Sequence, residues 1–326
     1  SRLAAWCRST ASGDWSLFGK RLKRDQLDIE AVLRRFSTVK HISHETPQWL
    51  VDAQWILENL EKPAPEEALQ KWRQISTQRP FQDLFINCIE YAAKETTSQL
   101  SIDPANFFSE RGFASLQAIL LKQISDLCSP VLFSLFIKHL KSEAANNPTL
   151  MIEAKDTDIY LAFIKQLQEK ELRQLFLDKP VLLRLLSNMI RQWIDTTTAI
   201  LERVQTDFSE LVTCFTQDKG PHRITHVAGD LSDPHNLGDS VLIFTINDLT
   251  KVVYKPKDLT LDLEWFNLTN NLNALNPPVD LKAVKTLKKD GYGWTEFVDN
   301  IPCTSKDEFA LFYRRAGSWL ALFHLF

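Results

Sequence analysis

The chain has 326 residues, of which 44% are apolar and 24% charged, so it has the composition of an ordinary globular protein with room for two structural units. Its 38 Lys and Arg residues and 41 Asp and Glu residues leave a net charge of −3. This balance gives no overall electrostatic attraction to nucleic acid or to an anionic membrane, so neither is an expected partner.

The sequence carries no signal for a membrane span, secretion or a metal site. Its apolar stretches fall short of the roughly 20 residues that cross a bilayer, and no signal-peptide core is present. The five cysteines form no C-x-x-C pair and the histidines no H-E-x-x-H spacing. We expect buried cysteines, no bound metal and a cytoplasmic location. Because the chain opens at Ser1 and closes inside an apolar helical pattern, we interpret it as a fragment.

Glycine marks an internal boundary. Three of the nine glycines fall in the first 219 residues and six in the remaining 107. Helix interiors disfavour glycine, whereas turns and hairpins use it. We therefore predict a helical N-terminal region over residues 1–220 and a turn-rich second region over residues 221–326.

Apolar residues recur at intervals of three and four along the first region, which predicts helices. The strongest pattern runs over residues 181–215 and follows Pro180, a favourable residue for a first helical turn. Shorter patterns predict helices over 49–60, 81–94, 131–141 and 158–177.

The second region predicts the order strand, strand, helix, strand, strand, helix. A hairpin joins strands 241–246 and 251–255 through turn residues 247–250. A helix over 262–272 follows, then strands over 281–287 and 292–298. A last helix begins after Ser305, a favourable N-cap. The fold class is therefore α+β.

This element order is similar to that of a protein-kinase-like small lobe. In such a lobe a strand lysine neutralises nucleotide phosphates, and a carboxylate on the following helix holds the lysine in place. Three local sequences make the comparison specific: Asp233-Pro-His235-Asn-Leu-Gly238, Val253-Tyr-Lys255-Pro-Lys257 and Gly293-Trp-Thr-Glu296. Together they resemble the D-x-H-x-x-G, Y-K-P-R/K and G-W-x-E pattern in the dehydratase domain of class II lanthipeptide (lantibiotic) synthetases.

The resemblance implies a lipid-kinase-like fold acting on a ribosomally made precursor peptide. Such enzymes phosphorylate Ser and Thr with ATP and Mg²⁺, then eliminate phosphate to leave dehydroalanine and dehydrobutyrine. A separate zinc-dependent cyclase domain, which this chain does not contain, then forms thioether rings. The family's catalytic loop and metal-binding aspartate are expected beyond Phe326, so we interpret the kinase-like lobe as truncated and this piece alone as inactive.

The resemblance also implies roles for individual residues. Lys255 becomes a nucleotide-phosphate contact, and Asp233 and His235 become catalytic candidates for phosphate contact or proton transfer. Histidine suits proton transfer because its pKa lies near working pH. Gly238 would let the loop backbone approach phosphate, although Asp239 follows it where the family usually carries a basic residue.

Two carboxylate assignments stay open in the sequence. Glu264 lies on the helix after Lys255, and Asp258 or Asp262 compete with it as the partner of that lysine. Glu296 is either a site residue near the adenine edge or a partly buried, hydrogen-bonded structural carboxylate.

Two other functions remain as alternatives. One is a non-catalytic helical scaffold that binds peptide and carries a degenerate kinase-like lobe. The other is an atypical kinase that acts on a lipid or a small molecule.

Overall fold

The computed structural model describes residues 2–36, 45–75, 78–146, 156–217, 219–229 and 238–325. The chain divides into two compact units, Ser1–Pro47 and Gln48–Phe326. The boundary predicted at residue 220 lies inside the second unit, and the assignment of separate domains on either side of it stays a prediction.

The described residues of the first unit form three short helices, α1 (Arg2–Ala11), α2 (Trp15–Arg24) and α3 (Ile29–Phe36). The Asp14 carboxylate caps α2 by accepting hydrogen bonds from the backbone N–H groups of Ser16 and Leu17. The unit has its own small core, formed by Cys7, Ala11, Phe18, Leu22 and Val32.

The second unit begins with a helical layer. It contains α4 (Gln48–Leu60), α5 (Glu66–Ile75), α6 (Ile86–Ser98), α7 (Glu110–Asn146), α8 (Asp156–Gln166), α9 (Leu172–Asp178) and α10 (Pro180–Phe215). Short 3₁₀ turns precede α6 and α7, and a π turn joins α8 to α9. The helix predicted over 181–215 is confirmed as α10, whereas the pattern over 131–141 is the second half of a much longer α7 that continues through Pro130.

Helix α7 is long and apolar enough, over residues 110–145, to cross a membrane by length and composition. The estimate that no apolar segment approaches that length was therefore wrong for this helix. Its apolar side packs in the core through Leu116, Leu120, Leu121, Ile124, Cys128 and Leu132. Of its most apolar window 33% is buried, and a single helix of this kind is weak evidence for a span.

In the part of the chain that the structure describes, five short strands form one antiparallel sheet in the order β1-β2-β3-β5-β4. They are β1 (Ile224–Ala228), β2 (Leu242–Ile246), β3 (Thr250–Lys255), β4 (Thr286–Lys288) and β5 (Gly293–Glu296). The β2–β3 hairpin turns at Asn247 and Asp248, both with positive φ, a conformation that these residue types tolerate. Strand β1 was not predicted, and the strand predicted over 281–287 was wrong for its first five residues.

The remaining elements are α11 (Thr260–Ala274) and α12 (Lys306–Leu325), which confirm the two helices predicted in this region. One face of the sheet joins the hydrophobic cluster of the helical layer through Phe244, Val252, Tyr254 and Trp294. The α+β class is thus confirmed, while likeness to a kinase small lobe stays a prediction.

Candidate functional site

Lys255 is the last residue of β3, where side chains alternate between the two faces of the sheet. Val252 and Tyr254 are buried against the helical layer. Lys255 therefore projects from the opposite face, and its side chain keeps 28% of its surface exposed. The ammonium group is held by the fold and still open to solvent.

The Asp262 carboxylate holds Lys255 in place. Its Oδ1 lies 3.2 Å from Nζ of Lys255, and its Oδ2 lies 3.3 Å from Nζ of Lys257. Burial opposes ionisation of Asp262, but the hydrogen bonds and charges of the two lysines outweigh it and hold its pKa below the ordinary value. A carboxylate in the first turn of α11 is also favoured by the helix dipole.

This pairing decides among the three carboxylates considered from the sequence. Glu264 is exposed on α11. Asp258 instead accepts a 2.7 Å hydrogen bond from the backbone N–H of Thr260, at the start of that helix. Asp262 is the described carboxylate that contacts Lys255.

A glycine directly across from Lys255 lets α11 approach the sheet. Gly293 of β5 is the backbone partner of Lys255. A Cβ at Gly293 would lie 2.5 Å from Leu259 Cδ1, closer than real contacts allow. Leu259 is fully buried immediately before α11. Because Gly293 has no side chain, Leu259 can pack against β5, and this packing positions α11, the helix that carries Asp262.

The aromatic residues of the two motifs face the other way and are structural. Tyr254 and Trp294 are paired across β3 and β5, with ring centroids 5.1 Å apart. Arg203 of α10 donates a hydrogen bond to the Tyr254 hydroxyl. The Arg203 guanidinium also lies 4.5 Å from the centre of the Tyr292 ring, a cation–π distance.

Asp207, one turn after Arg203, is fully buried and joins α10 to β5. Its Oδ2 accepts hydrogen bonds from Trp294 Nε1 at 2.8 Å and from the Tyr292 hydroxyl at 2.9 Å. Its Oδ1 lies 3.0 Å from Lys289 Nζ, an ion pair whose geometry falls short of a well-aligned hydrogen bond. Burial and the Asp207 carboxylate together raise the pKa of Tyr292 to about 12.

Sequence reasoning missed Arg203 and Asp207. One signal was present: Asp207 occupies a core position of the α10 stripe, between Val204 and Leu211, where an apolar residue is expected. An acidic residue at such a position requires a buried partner, but the partner's identity depends on the fold.

Glu296 lies apart from Lys255. Its backbone partner on β3 is Val252, three residues before Lys255, or about 10 Å along the strand. Its Oε1 accepts a 3.0 Å hydrogen bond from the backbone N–H of Lys285 and lies 2.9 Å from Lys282 Nζ. These contacts support the structural interpretation, and a nucleotide contact by Glu296 stays a prediction.

Gly238 has a φ of +120°, and a Cβ placed there would lie 3.3 Å from Thr196 Cγ2 of α10. Gly238 thus lies beside the helical layer, whereas the Lys255 side chain is on the α11 side. The two share one end of the sheet, because Leu242 at the start of β2 pairs with Tyr254 near the end of β3. Asp233 and His235 lie outside the described residues.

No metal centre is found among the described residues, since no group of three His, Cys, Asp or Glu side chains could hold an ion there. Of the cysteines, all free, Cys7, Cys88 and Cys128 are buried, and Cys214 and Cys303 are partly exposed. Burial raises the pKa of the Cys128 thiol to about 12, so it is a packing residue and not a nucleophile.

Comparisons with known proteins give the following matches. The model of a family described as a domain of unknown function, DUF4135, matches residues 180–326. This match begins at the first residue of α10, the helix that supplies Arg203 and Asp207. The lacticin 481/lactococcin biosynthesis protein LcnDR2 of Lactococcus lactis subsp. lactis is 28% identical over 152 residues, which cover 44% of this chain and 16% of that protein.

Proposed function

We propose that this chain, which is related to the class II lanthipeptide synthetases, contributes to a dehydratase that phosphorylates Ser and Thr of a precursor peptide and then eliminates the phosphate. The observation that carries the proposal is the Lys255–Asp262 ion pair. It lies where the Tyr-Lys-Pro and Gly-Trp segments pair, so two of the three resembling sequences are adjacent in the structure.

The Lys255 ammonium fits a phosphate contact. It is a positive charge on a strand end, oriented by a carboxylate on the adjacent helix and partly exposed. Lysine binds phosphate as a compact point charge and not through the bidentate geometry of arginine, so the position of its ammonium group decides the contact. Asp262 supplies that position, while the strand pairing and Leu259 fix the distance between β3 and α11.

The proposed chemistry has two balanced steps. The Ser or Thr hydroxyl oxygen attacks the γ-phosphorus of ATP, the bond to the bridging oxygen breaks, ADP leaves, and the hydroxyl proton passes to a base. A base then removes the α-proton, the Cβ–O bond breaks, and phosphate leaves with the bonding electrons as the alkene forms. Phosphorylation is required because hydroxide is a poor leaving group. Lys255 would serve the first step by stabilising charge on the nucleotide phosphates.

Co-expression of the full-length protein with a precursor peptide, followed by mass spectrometry of the peptide, tests the proposal. Each dehydrated Ser or Thr should reduce the peptide mass by one water. Lys255→Met should leave the peptide unphosphorylated and undehydrated. For His235→Ala, accumulated phosphopeptide would assign His235 to elimination, and unmodified peptide would assign it to phosphorylation. Full dehydration by Lys255→Met would refute the proposed role of Lys255, and a peptide that stays bound but unmodified by the wild type would favour the scaffold alternative.

A further inference from the structure

A cleft of about 380 Å³ lies between the first half of α7, the segment before the 3₁₀ turn at Gln82–Phe85, and the end of β1. Its polar lining consists of Arg79, Gln82, Arg111, Ser115, Lys122 and His226. Neither Lys255 nor Asp262 lines it, so the phosphate contact proposed above makes no use of it.

Close packing of α7 on β1 fixes the position of this cleft. A Cβ at Gly112 would lie 2.1 Å from the carbonyl oxygen of Ile224, so the helix backbone rests directly on the strand. Ser115 Oγ accepts a 2.7 Å hydrogen bond from the backbone N–H of Val227. These contacts hold one face of α7 over the strand and fix those two walls of the cleft relative to each other.

The cations of the cleft follow that face of α7. Arg111 and Lys122 are 11 residues apart, close to three full helical turns, so both lie on the same side of the helix. At 1.5 Å per residue they are separated by about 16 Å along the helix axis. Arg79, from the segment before the 3₁₀ turn, adds a third positive charge to the lining.

The carboxylate of Asp126 lies near one end of this row. It is 3.2 Å from Lys122 Nζ and 3.7 Å from Arg79 Nη1, and 46% of its side-chain surface is exposed. At the other end, Arg111 is exposed. Burial, followed by the Arg111 charge, holds the pKa of His226 below its ordinary value, so near pH 7 its ring is neutral and can both donate and accept a hydrogen bond.

The separation of the cations selects the shape of the ligand. The backbone positions of Arg111 and Lys122 are about 16 Å apart along the helix axis, and an extended peptide covers this distance with about five residues. A chain of that length meets both ends of the row at once, which favours it over a single phosphate or carboxylate. Partly exposed charges also suit a ligand that binds along a surface and exchanges readily.

We propose that this cleft binds an acidic segment of extended peptide, with carboxylates directed to Arg111 at one end and to Lys122 and Arg79 at the other. The assignment of this segment to the precursor peptide rests on the proposed function. The binding itself does not, because it requires neither nucleotide nor Lys255.

Fluorescence anisotropy without nucleotide tests the proposal. The probe is a short labelled peptide with two Glu residues four positions apart, an even spacing that places both side chains on one face of an extended chain over about 13 Å. Its control replaces both Glu residues with Gln. Contacts to exposed cations are screened by solvent, so Arg111→Gln and Lys122→Gln should each weaken binding of the acidic peptide by about two- to fivefold. Lys138→Gln, an exposed change on α7 outside the cleft, should leave binding unchanged.

A charge-reversal variant distinguishes loss of the binding contact from loss of the fold. Arg111→Glu should bind a peptide with Lys at the facing position better than the original acidic peptide. Equal affinity of the wild type for the Glu and Gln peptides would overturn the proposal. Displacement of the acidic peptide by inorganic phosphate at equal concentration would overturn it too, because it would indicate a simple anion site. If the wild type bound the acidic peptide but did not dehydrate a co-expressed precursor peptide, that result would count against the proposed function and not against the peptide site.

Discussion

The indole N–H of Trp294 donates a 2.8 Å hydrogen bond to the Asp207 carboxylate, so the C-terminal part of α10 is fixed to the strand that lies beside Lys255. The same oxygen accepts the Tyr292 hydroxyl. The helical layer is thus part of the support for the candidate phosphate contact. The family match that begins at Pro180 includes this helix together with the sheet.

Loss of the buried carboxylate should destabilise the second unit. Asp207→Ala leaves the buried Trp294 indole and the half-buried Tyr292 hydroxyl without their acceptor and Lys289 with Glu210 alone, which costs about 3 kcal/mol in the free energy of unfolding. Glu202→Ala, an exposed change on the same helix, should cost less than about 0.5 kcal/mol. Urea unfolding followed by tryptophan fluorescence measures both. Equal midpoints for the two variants would refute the structural role assigned to Asp207.

Two glycines provide a matched test of the α7–β1 contact. Gly112→Ala places a methyl group against the Ile224 carbonyl and should lower the free energy of unfolding by about 3 kcal/mol. Gly317→Ala, in α12, meets no described atom within 4 Å and should raise it by about 0.5–1 kcal/mol, because alanine favours the helix. Thermal unfolding compares them. If Gly112→Ala were as stable as the wild type, helix and strand would have to lie further apart than they do here.

Tyr292 should make stability depend on alkaline pH. Its pKa rises from 10.0 to about 12 on folding, so the native state holds the phenol proton more tightly than the unfolded state does. The resulting stabilisation is complete below pH 10 and is lost as the pH rises from about 10 to about 12. Tyr292→Phe should remove this part of the pH dependence of the unfolding free energy, together with one phenolate absorbance step near pH 12. An absorbance titration identical to that of the wild type would contradict the assignment.

Much of the fold follows from local sequence patterns. The apolar stripe over 181–215 predicts α10 almost to the residue, because a long helix with one buried face repeats the same signal many times. The β2–β3 hairpin is recognisable because turn residues separate two β-branched runs.

The failures arise where tertiary contacts replace local signals. Strand β1 is only five residues long, and its outer edge is bonded to the segment before α7, through Phe107 and Ser109. These hydrogen bonds join residues more than one hundred positions apart, so the local apolar periodicity of the sequence could not predict them. Residues 281–285 were predicted as strand but form none: Leu281 is bonded to the Asn273 side chain, and Lys285 at the other end is bonded to Glu296 of β5.

The residues of the candidate site also divide into those that the sequence predicts and those that depend on tertiary packing. The Tyr-Lys-Pro and Gly-Trp segments identify Lys255 from the sequence, because residue types in a fixed order are a local signal. The choice of Asp262 over Glu264 depends on where α11 begins and which face it turns to the sheet. Arg203 and Asp207 depend on the packing of a helix against strands distant in sequence.

The position of the Lys255 ammonium in a nucleotide-phosphate site is tested most directly by ATP affinity. Calorimetric titration of the full-length protein with ATP should compare the wild type with Lys255→Met and with Lys257→Met, since both lysines contact Asp262 but Lys257 is far more exposed. Loss of a charge-assisted phosphate contact predicts an affinity at least about tenfold weaker for Lys255→Met, with Lys257→Met close to the wild type. Equal ATP affinity in all three proteins would contradict the account.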